Sequence, residues 1–275
     1  MPELPEVETI RRTLKQLVLD KKIKSVDVTW PKMIKKPQEV EQFVDALQGQ
    51  TIVDIKRRGK FLIFYSELYA LISHLRMEGR YALYQSEDPV EKHTHVIFYF
   101  TDGTELRYRD VRKFGTMHLF LKGEEFSSLP LSHLGPEPLE DSFDEKEFAI
   151  KLAKTQRNIK ATLLDQTIVV GLGNIYVDEA LFKARIHPKR PAGSLSKSEV
   201  HVLYEKIIET LTVAVKMGGS TVRTYVNSQG EIGMFQLEHY VYGRKGEDCK
   251  VCGTPLIKTV VGGRGTVFCP DCQKE

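Results

Sequence analysis

The sequence predicts an α+β chain: a mostly β N-terminal part opened by one helix, then a helical part, then a cysteine-bearing β-hairpin. Three observations carry this. Apolar residues recur at helical spacing only at the very start and again after about residue 140. Between these stretches the chain is rich in aromatic and branched residues with alternating polarity. All four cysteines fall in the last 27 residues. With 275 residues the chain has room for about two domains, and 41% apolar residues suffice for ordinary cores.

Residues 3–19 read as a helix, with Val7, Ile10, Leu14 and Leu17 on one face. Pro5 is tolerated because it sits in the first turn. Lys60 to Tyr65 and His95 to Phe100 read as strands. Asp102-Gly103 and the alternation of Leu106 and Tyr108 with Arg107 and Arg109 read as a hairpin. These signals define a mostly β domain over residues 1–134. Leu134-Gly-Pro-Glu-Pro-Leu139 has the composition of a linker.

After it the pattern turns helical, and residues 135–236 form the second domain. Ser142-Phe-Asp-Glu145 and Ser196-Lys-Ser-Glu199 both match the capping box, in which side chains satisfy backbone donors left over at a helix start. The second box opens a helix with Val200, Leu203, Ile207, Leu211 and Val215 on one stripe, closed by Gly218-Gly219. Residues 220–236 have no period and read as a mobile loop. Gly171-Leu-Gly-Asn174 precedes a helical stretch from Ile175 to Ala184. Such a turn offers backbone N–H groups to an anion, or simply caps the helix.

Residues 237–275 hold Cys249-x2-Cys252-x16-Cys269-x2-Cys272. Two C-x2-C turns can supply a tetrahedral zinc with four thiolates, and so short a tail needs the metal to fold. A closed set of four makes the zinc structural. Disulfides and a redox pair are the competing readings of the same cysteines. Between the knuckles, Val260 to Phe268 reads as a β-hairpin with Gly262-Gly263-Arg264-Gly265 at its tip and one arginine presented there, suited to a phosphate or simply an exposed turn residue.

Composition limits the function. The longest apolar runs have five residues, against about 20 for a membrane span. The acidic start lacks the pattern of a secretory signal, which points to the cytoplasm. The net charge of +3 announces no polyanionic partner. Two clusters say more: Lys56-Arg-Arg-Gly-Lys60, and Arg107, Arg109, Arg112 and Lys113, either of which can neutralise phosphates or simply be a solvated face.

The N-terminus gains chemistry only if Met1 is removed. Pro2 then carries a free secondary amine. An α-amine titrates at about 7.7–8.0, against about 10.4 for lysine, so a useful fraction of it is uncharged and nucleophilic at neutral pH. Attack on a sugar carbon gives an iminium that can drain electrons from the sugar.

Pro2-Glu-Leu-Pro-Glu-Val-Glu-Thr9, Arg58-Gly-Lys60, Ser73-His-Leu-Arg-Met-Glu-Gly79, Arg109-Asp-Val-Arg-Lys-Phe-Gly115, Gly171-Leu-Gly-Asn-Ile-Tyr176 and the cysteine pattern together resemble bacterial formamidopyrimidine-DNA glycosylase. The match runs from residue 2 to residue 272. The sister endonuclease VIII branch shares the Pro-Glu start and the finger but not the longer N-terminal form. The resemblance implies a β-sandwich domain, a helix–two-turns–helix domain and a zinc finger. It implies excision of oxidised purines from duplex DNA, followed by strand scission through β,δ-elimination. Pro2 would be the nucleophile and Glu3 the proton donor. Lys60 would contact phosphate and assist β-elimination, and Arg264 would grip the lesion phosphate and assist δ-elimination. His74, Asn174 and Tyr242 resemble further backbone contacts, and His93 a weaker one. Met77, Arg112 and Phe114 resemble the residues that fill the gap left by the expelled nucleotide. Glu78, Ser220, Arg223 and Thr224, with the 220–236 loop, would surround the flipped base. The implied protein is a monomer bound to double-stranded DNA carrying an oxidised purine, one zinc per chain, in the cytoplasm at the nucleoid. A non-catalytic damaged-DNA binder of the same fold, and a generic zinc-ribbon binder, are the alternatives from other classes.

Overall fold

The computed structural model describes residues 1–220 and 233–274. The chain divides into two compact units, with Leu134 the first residue of the second. Arg223 and Thr224, and most of the 220–236 loop, lie outside the described residues.

The N-terminal unit starts with α1 (Leu4–Val18). Val7, Ile10, Leu14 and Val18 are its buried stripe, while Leu17 is only partly covered. Eleven residues are almost a whole number of turns, about 20° past three, whereas ten fall about 80° short, so Val18 and not Leu17 lies under Val7. The strands are β1 (Ile23–Val28), β2 (Ile34–Lys36), β3 (Asp54–Arg58), β4 (Phe61–Tyr65), β5 (Tyr69–His74), β6 (Arg80–Gln85), β7 (Thr94–Phe100), β8 (Thr104–Arg109) and β9 (Thr116–Leu121), with α2 (Val40–Leu47) between β2 and β3. They form two sheets, β1-β7-β8-β6 and β2-β9-β5-β4-β3. Leu62, Phe64 and Leu71 from one sheet share a core with Val96, Phe98 and Leu106 from the other, and the α1 stripe joins it. This is the expected β-sandwich. The Asp102-Gly103 turn closes β7 on β8 with Phe98 opposite Leu106, and Gly103 takes φ +85° as the turn requires.

The alternation of polarity fails at one place. Arg107, expected at the surface, is 2% exposed, because it pairs with Glu105 at 2.8 Å and donates to the carbonyls of Asp88 and Pro89. Arg109 pairs with Glu91. The second basic cluster is therefore half neutralised, by Glu105 on β8 and by Glu91 in the connection before β7.

The second unit holds α3 (Glu145–Ala153), α4 (Ile159–Leu164), α5 (Asn174–Lys183), α6 (Lys197–Lys216) and a hairpin of β10 (Ile257–Val261) and β11 (Arg264–Phe268). Ser196 and Glu199 form the expected capping box. Ser142 does not: Asp144 caps α3 by accepting the Glu147 N–H, because its carboxylate sits one turn ahead of that donor. On α6 the inward stripe is Val200, Leu203, Ile207, Leu211 and Ala214, and Val215 stays half covered. Leu134–Leu139 is no free linker. Gly135 N–H donates to Gln166 O and Val170 N–H to Pro136 O, and a Cβ at Gly135 would meet the Thr167 carbonyl at 2.5 Å.

Two turns join α4 to α5, completing the helix–two-turns–helix. Gln166 ties them: its amide donates to Leu164 O and Leu172 O while its oxygen accepts the Gly171 N–H. The far end of the 220–236 segment is not loose: Ser220 bridges to Met234, and Phe235 is buried beside Tyr176.

Candidate active site and metal centre

Each unit carries its own part of the expected machinery. In the N-terminal unit Pro2 is buried and Glu3 is the N-cap of α1. Glu3 N–H donates to the Glu6 carboxylate at 2.8 Å, closing a capping box that fixes the backbone next to Pro2. One turn on, Glu8 binds Arg11, Arg12 and Arg57. Burial pushes the Glu8 carboxyl up, but these guanidinium groups hold it below its usual range. Arg57 also donates to Gly59 O, in the two-residue turn between β3 and β4. Glu8 and Arg57 thereby tie α1 to the turn that carries Lys60, itself only 6% exposed.

Lys60 neighbours His74. The His74 ring stands edge-on to Phe61, centroids 4.5 Å apart, and its Nδ1 accepts the Arg76 N–H at 2.9 Å. Burial, with Arg76 and Lys60 nearby, pulls its pKa down to about 3. His74 is therefore neutral at physiological pH, with its one proton on Nε2, as a hydrogen-bond donor without charge.

The three expected gap-filling residues occupy two neighbouring connections. Residues 75–79 cross from β5 in one sheet to β6 in the other. Residues 110–115 cross back from β8 to β9. Met77 is 40% exposed on the first, and Phe114 is 51% exposed on the second with the Arg112 guanidinium 4.6 Å over its ring. Asp110, 1% exposed, shapes the second connection: its carboxylate accepts the N–H groups of Arg112 and Gly115, and its carbonyl accepts from His95 Nε2. His93 sits at the start of β7 with φ +70°, its carbonyl accepting the Asp110 N–H. Glu78 is exposed beside Met77.

In the second unit, Gly262 and Gly263, at φ +56° and +73°, make the hairpin tip. Arg264 is the first residue of β11, opposite Val261, and is exposed just past the tip, not at it. The expected four-residue tip is shorter because two consecutive left-handed glycines suffice for a type I′ turn. The neighbouring Gly265 carbonyl is held twice, by Asn174 Nδ2 at 2.9 Å and Lys160 Nζ at 3.2 Å. Lys160 is wholly buried on α4 and also donates to Asp178 at 2.6 Å and Thr266 Oγ1 at 2.7 Å. Burial raises the Asp178 carboxyl to about 6 against the pull of Lys160. Lys160, Asp178 and Glu179 escape sequence reasoning. The one available signal is a pair of acids interrupting the apolar run Ile175 to Phe182.

Glu179 accepts the N–H groups of Tyr240, Val241 and Tyr242 at 2.8, 3.0 and 2.8 Å, which fixes the backbone at Tyr242. His239 donates from Nδ1 to the Tyr242 carbonyl and accepts the Ser220 hydroxyl at Nε2, and Ser220 accepts from Tyr176. The Ser220 hydroxyl, expected near the flipped base, is 4% exposed and engaged in this internal chain.

The four cysteine sulfurs lie within 4.8 Å of one another. Across the two knuckles, Cys249–Cys272 and Cys252–Cys269 are 3.9 and 3.5 Å apart. Zinc–sulfur bonds of about 2.3 Å put tetrahedral ligands about 3.8 Å apart, so the set fits one zinc closed to further ligands. The tail adds a small core of Val241, Leu256 and Val267 against Phe182 of α5.

Comparison with known proteins agrees with this geometry. Residues 1–117 match the formamidopyrimidine-DNA glycosylase N-terminal domain, 134–226 its H2TH domain, and 246–274 the zinc finger found in FPG and IleRS. The formamidopyrimidine-DNA glycosylase of Bacillus licheniformis is 62% identical over 275 residues, all of both chains, and that of Bacillus subtilis 61% over the same length. A complex of Lactococcus lactis Fpg with abasic-site DNA superposes with a TM-score of 0.94 at 47% identity, covering 99% of this chain and 100% of that one. The wild-type Lactococcus enzyme with N7-benzyl-Fapy-dG DNA gives 0.94 at 46%, covering all of both chains. A sandwich opened by a helix, a helix–two-turns–helix and a four-thiolate finger define a zinc-finger DNA glycosylase. The chain belongs to the formamidopyrimidine-DNA glycosylase family.

Proposed function

We propose that the mature chain begins at Pro2 and that the Pro2 amine attacks C1′ of an oxidised purine nucleotide in duplex DNA. The class of activity follows from the family: a DNA glycosylase that removes oxidised purines and carries abasic-site lyase activity. The observation that carries the proline reading is the rigid Glu3 cap, which holds the residue joined to Pro2 in one conformation at the end of α1.

The N–C1′ bond forms as the glycosidic bond breaks, and the base leaves with a proton. Glu3 is the group next to the amine able to move that proton. The C1′–O4′ bond then opens as O4′ takes a proton, and the resulting iminium draws electrons from C2′, which loses a proton as the C3′–oxygen bond breaks. Repetition at C4′ and C5′ releases the second phosphate. Lys60 and Arg264 each hold a phosphate. His74 Nε2, Asn174, Tyr242 and His93 are further contacts to the backbone, which position the duplex without reading its sequence. Met77, Arg112 and Phe114 occupy the space left when the nucleotide is extruded, a step that costs a few kcal/mol. Glu78 and the 220–236 loop, including Ser220, Arg223 and Thr224, are the proposed lesion contacts.

We further propose three parts, 1–134, 135–236 and 237–275, acting as a monomer on chromosomal DNA at the nucleoid in the cytoplasm. Among the described residues no helix is long and apolar enough to cross a membrane.

Borohydride added during turnover should reduce the iminium and join protein to DNA, with the adduct mapped to Pro2. A variant with one residue added ahead of Pro2 should lose base release and trapping yet still bind DNA, since an amide nitrogen is not nucleophilic. Full activity in that variant would return the reaction to a lysine such as Lys60.

A further inference from the structure

We propose that Tyr108 is a positioning residue: its hydroxyl is the spacer that holds the Met77 connection and the Arg112–Phe114 connection in fixed register. The proposal rests on the reading that these residues enter the duplex. Tyr108 lies on β8 and is completely buried. A Cβ built on Gly79 would stand 2.2 Å from its hydroxyl oxygen, and one built on Gly115 would stand 1.8 Å from it. The hydroxyl therefore lies directly against the backbone of both glycines. Gly79 ends the connection that carries Met77, and Gly115 ends the one that carries Phe114. The two sheet crossovers are adjacent, and one oxygen atom fills the gap between them.

The ring is fixed from below. It packs on Tyr81 with centroids 4.9 Å apart, and Tyr81 donates to Ser73 Oγ at 2.8 Å, on the strand that leads into the first connection. Tyr81 and Tyr108 are cross-strand partners on β6 and β8. Both glycines keep ordinary negative or extended φ, unlike Gly103 or Gly262, so conformation does not demand them. What demands glycine is the close approach of the hydroxyl. At Gly79 the Leu75 carbonyl, 2.6 Å from the same Cβ position, adds to the demand.

A wedge and the residues that replace the lost base must advance together, and a fixed spacing removes one conformational freedom from that step. Tyr108→Phe deletes the spacer atom while keeping the ring and its burial. Base release from an 8-oxoguanine:cytosine duplex under single-turnover conditions should fall about tenfold or more, since misplacement on the order of 1 Å can cost about a hundredfold. The preference for cytosine opposite the lesion should shrink with it. Borohydride trapping on a single-stranded abasic oligonucleotide, which has no facing base and no gap to fill, should proceed at the unaltered rate. Gly115→Ala should slow duplex base release on its own, and should cost less when combined with Tyr108→Phe, because the atom it meets most closely is gone.

Normal duplex base release by Tyr108→Phe, an equal loss on both substrates, or strict additivity with Gly115→Ala would each overturn the spacer. Phe114→Ala separates the proposal from the reading beneath it. If Phe114→Ala releases base at the full rate, the insertion reading fails. If Phe114→Ala is slow and Tyr108→Phe is not, only the spacer fails.

Discussion

Replacing Lys160 by Met tests the buried node behind the Arg264 hairpin. The ammonium is wholly buried and donates to Asp178, Thr266 and the Gly265 carbonyl. Methionine matches its length but leaves Asp178, 2% exposed, as a buried carboxylate without its cation. Breaking a buried pair in this way costs about 3–5 kcal/mol. The cost depends on pH. Burial already holds the Asp178 carboxyl up at about 6, and losing Lys160 must raise it further. A folded-state pKa above the unfolded value means that the folded variant binds the extra proton. Its stability deficit is therefore largest at pH 8 and shrinks as pH falls through the raised pKa. At pH 5 only the lost hydrogen bonds remain, about 1–3 kcal/mol. The single tryptophan, Trp30, lies in the other unit and does not report on this node. Amide hydrogen exchange at Val267, whose N–H donates to Asp178, does. Lys160→Met should accelerate that exchange more at pH 8 than at pH 5 after correction for intrinsic rates, and Asp178→Leu added to it, which removes the Val267 acceptor, should instead restore the thermal stability of the second unit at pH 8. Equal effects at both pH values, or no rescue, would refute the argument that an uncompensated carboxylate is what destabilises the variant.

Cys252→Ser should lower bound zinc well below one per chain and unfold the tail, while Trp30 fluorescence shows the N-terminal unit intact; full zinc content in the variant would remove Cys252 from the ligand set. Arg264→Ala should flatten the salt dependence of DNA binding by about 0.9 in the log–log slope, whereas His74→Ala should weaken binding at an unchanged slope, since a neutral imidazole releases no counterion; a lowered slope for His74→Ala would mean the ring is charged in the complex. The N-terminal unit should lose stability in acid: with His74 at about 3 folded and 6.5 unfolded, the unfolded chain binds more protons between those values, so this contribution is complete above pH 6.5 and falls by up to about 1.4 kcal/mol per pH unit below it. Urea unfolding followed by Trp30 fluorescence from pH 4 to 7 should show that slope in the parent chain and a shallower one in His74→Gln.

Much of this was legible because it is local. Helical spacing gave α1, its one slip being Leu17 for Val18. The turn chemistry of Asp102-Gly103 gave the β7–β8 register, and cysteine spacing gave the metal site. What stayed hidden depends on contacts across sequence. Arg107 reads as a surface cation until β8 sets it beside Glu105 in the interior. Ser142 reads as the cap of α3, and only the chain path hands that role to Asp144. Lys160 and Gly265 are 105 residues apart, and nothing local marks either. That Met77 and Phe114 stand on adjacent crossovers follows from strand order, which pattern alone does not specify. Met77 and the roles given to Arg112, Asn174 and Arg264 were reached through the resemblance, since an exposed turn arginine is by composition as well suited to solvent as to a phosphate.

The Gly265 carbonyl accepts from two side chains on two different helices, so both its lone pairs are taken and the strand beside Arg264 cannot swivel. Ordering a long side chain at an interface costs about 0.5–1.5 kcal/mol when it happens on binding. Here part of that entropy is surrendered when the tail folds, and the energy that compensates for it comes from zinc–thiolate bonds on the far side of the hairpin. A metal that touches no substrate would thus enter the affinity of the proposed Arg264 contact for phosphate, through disorder removed in advance.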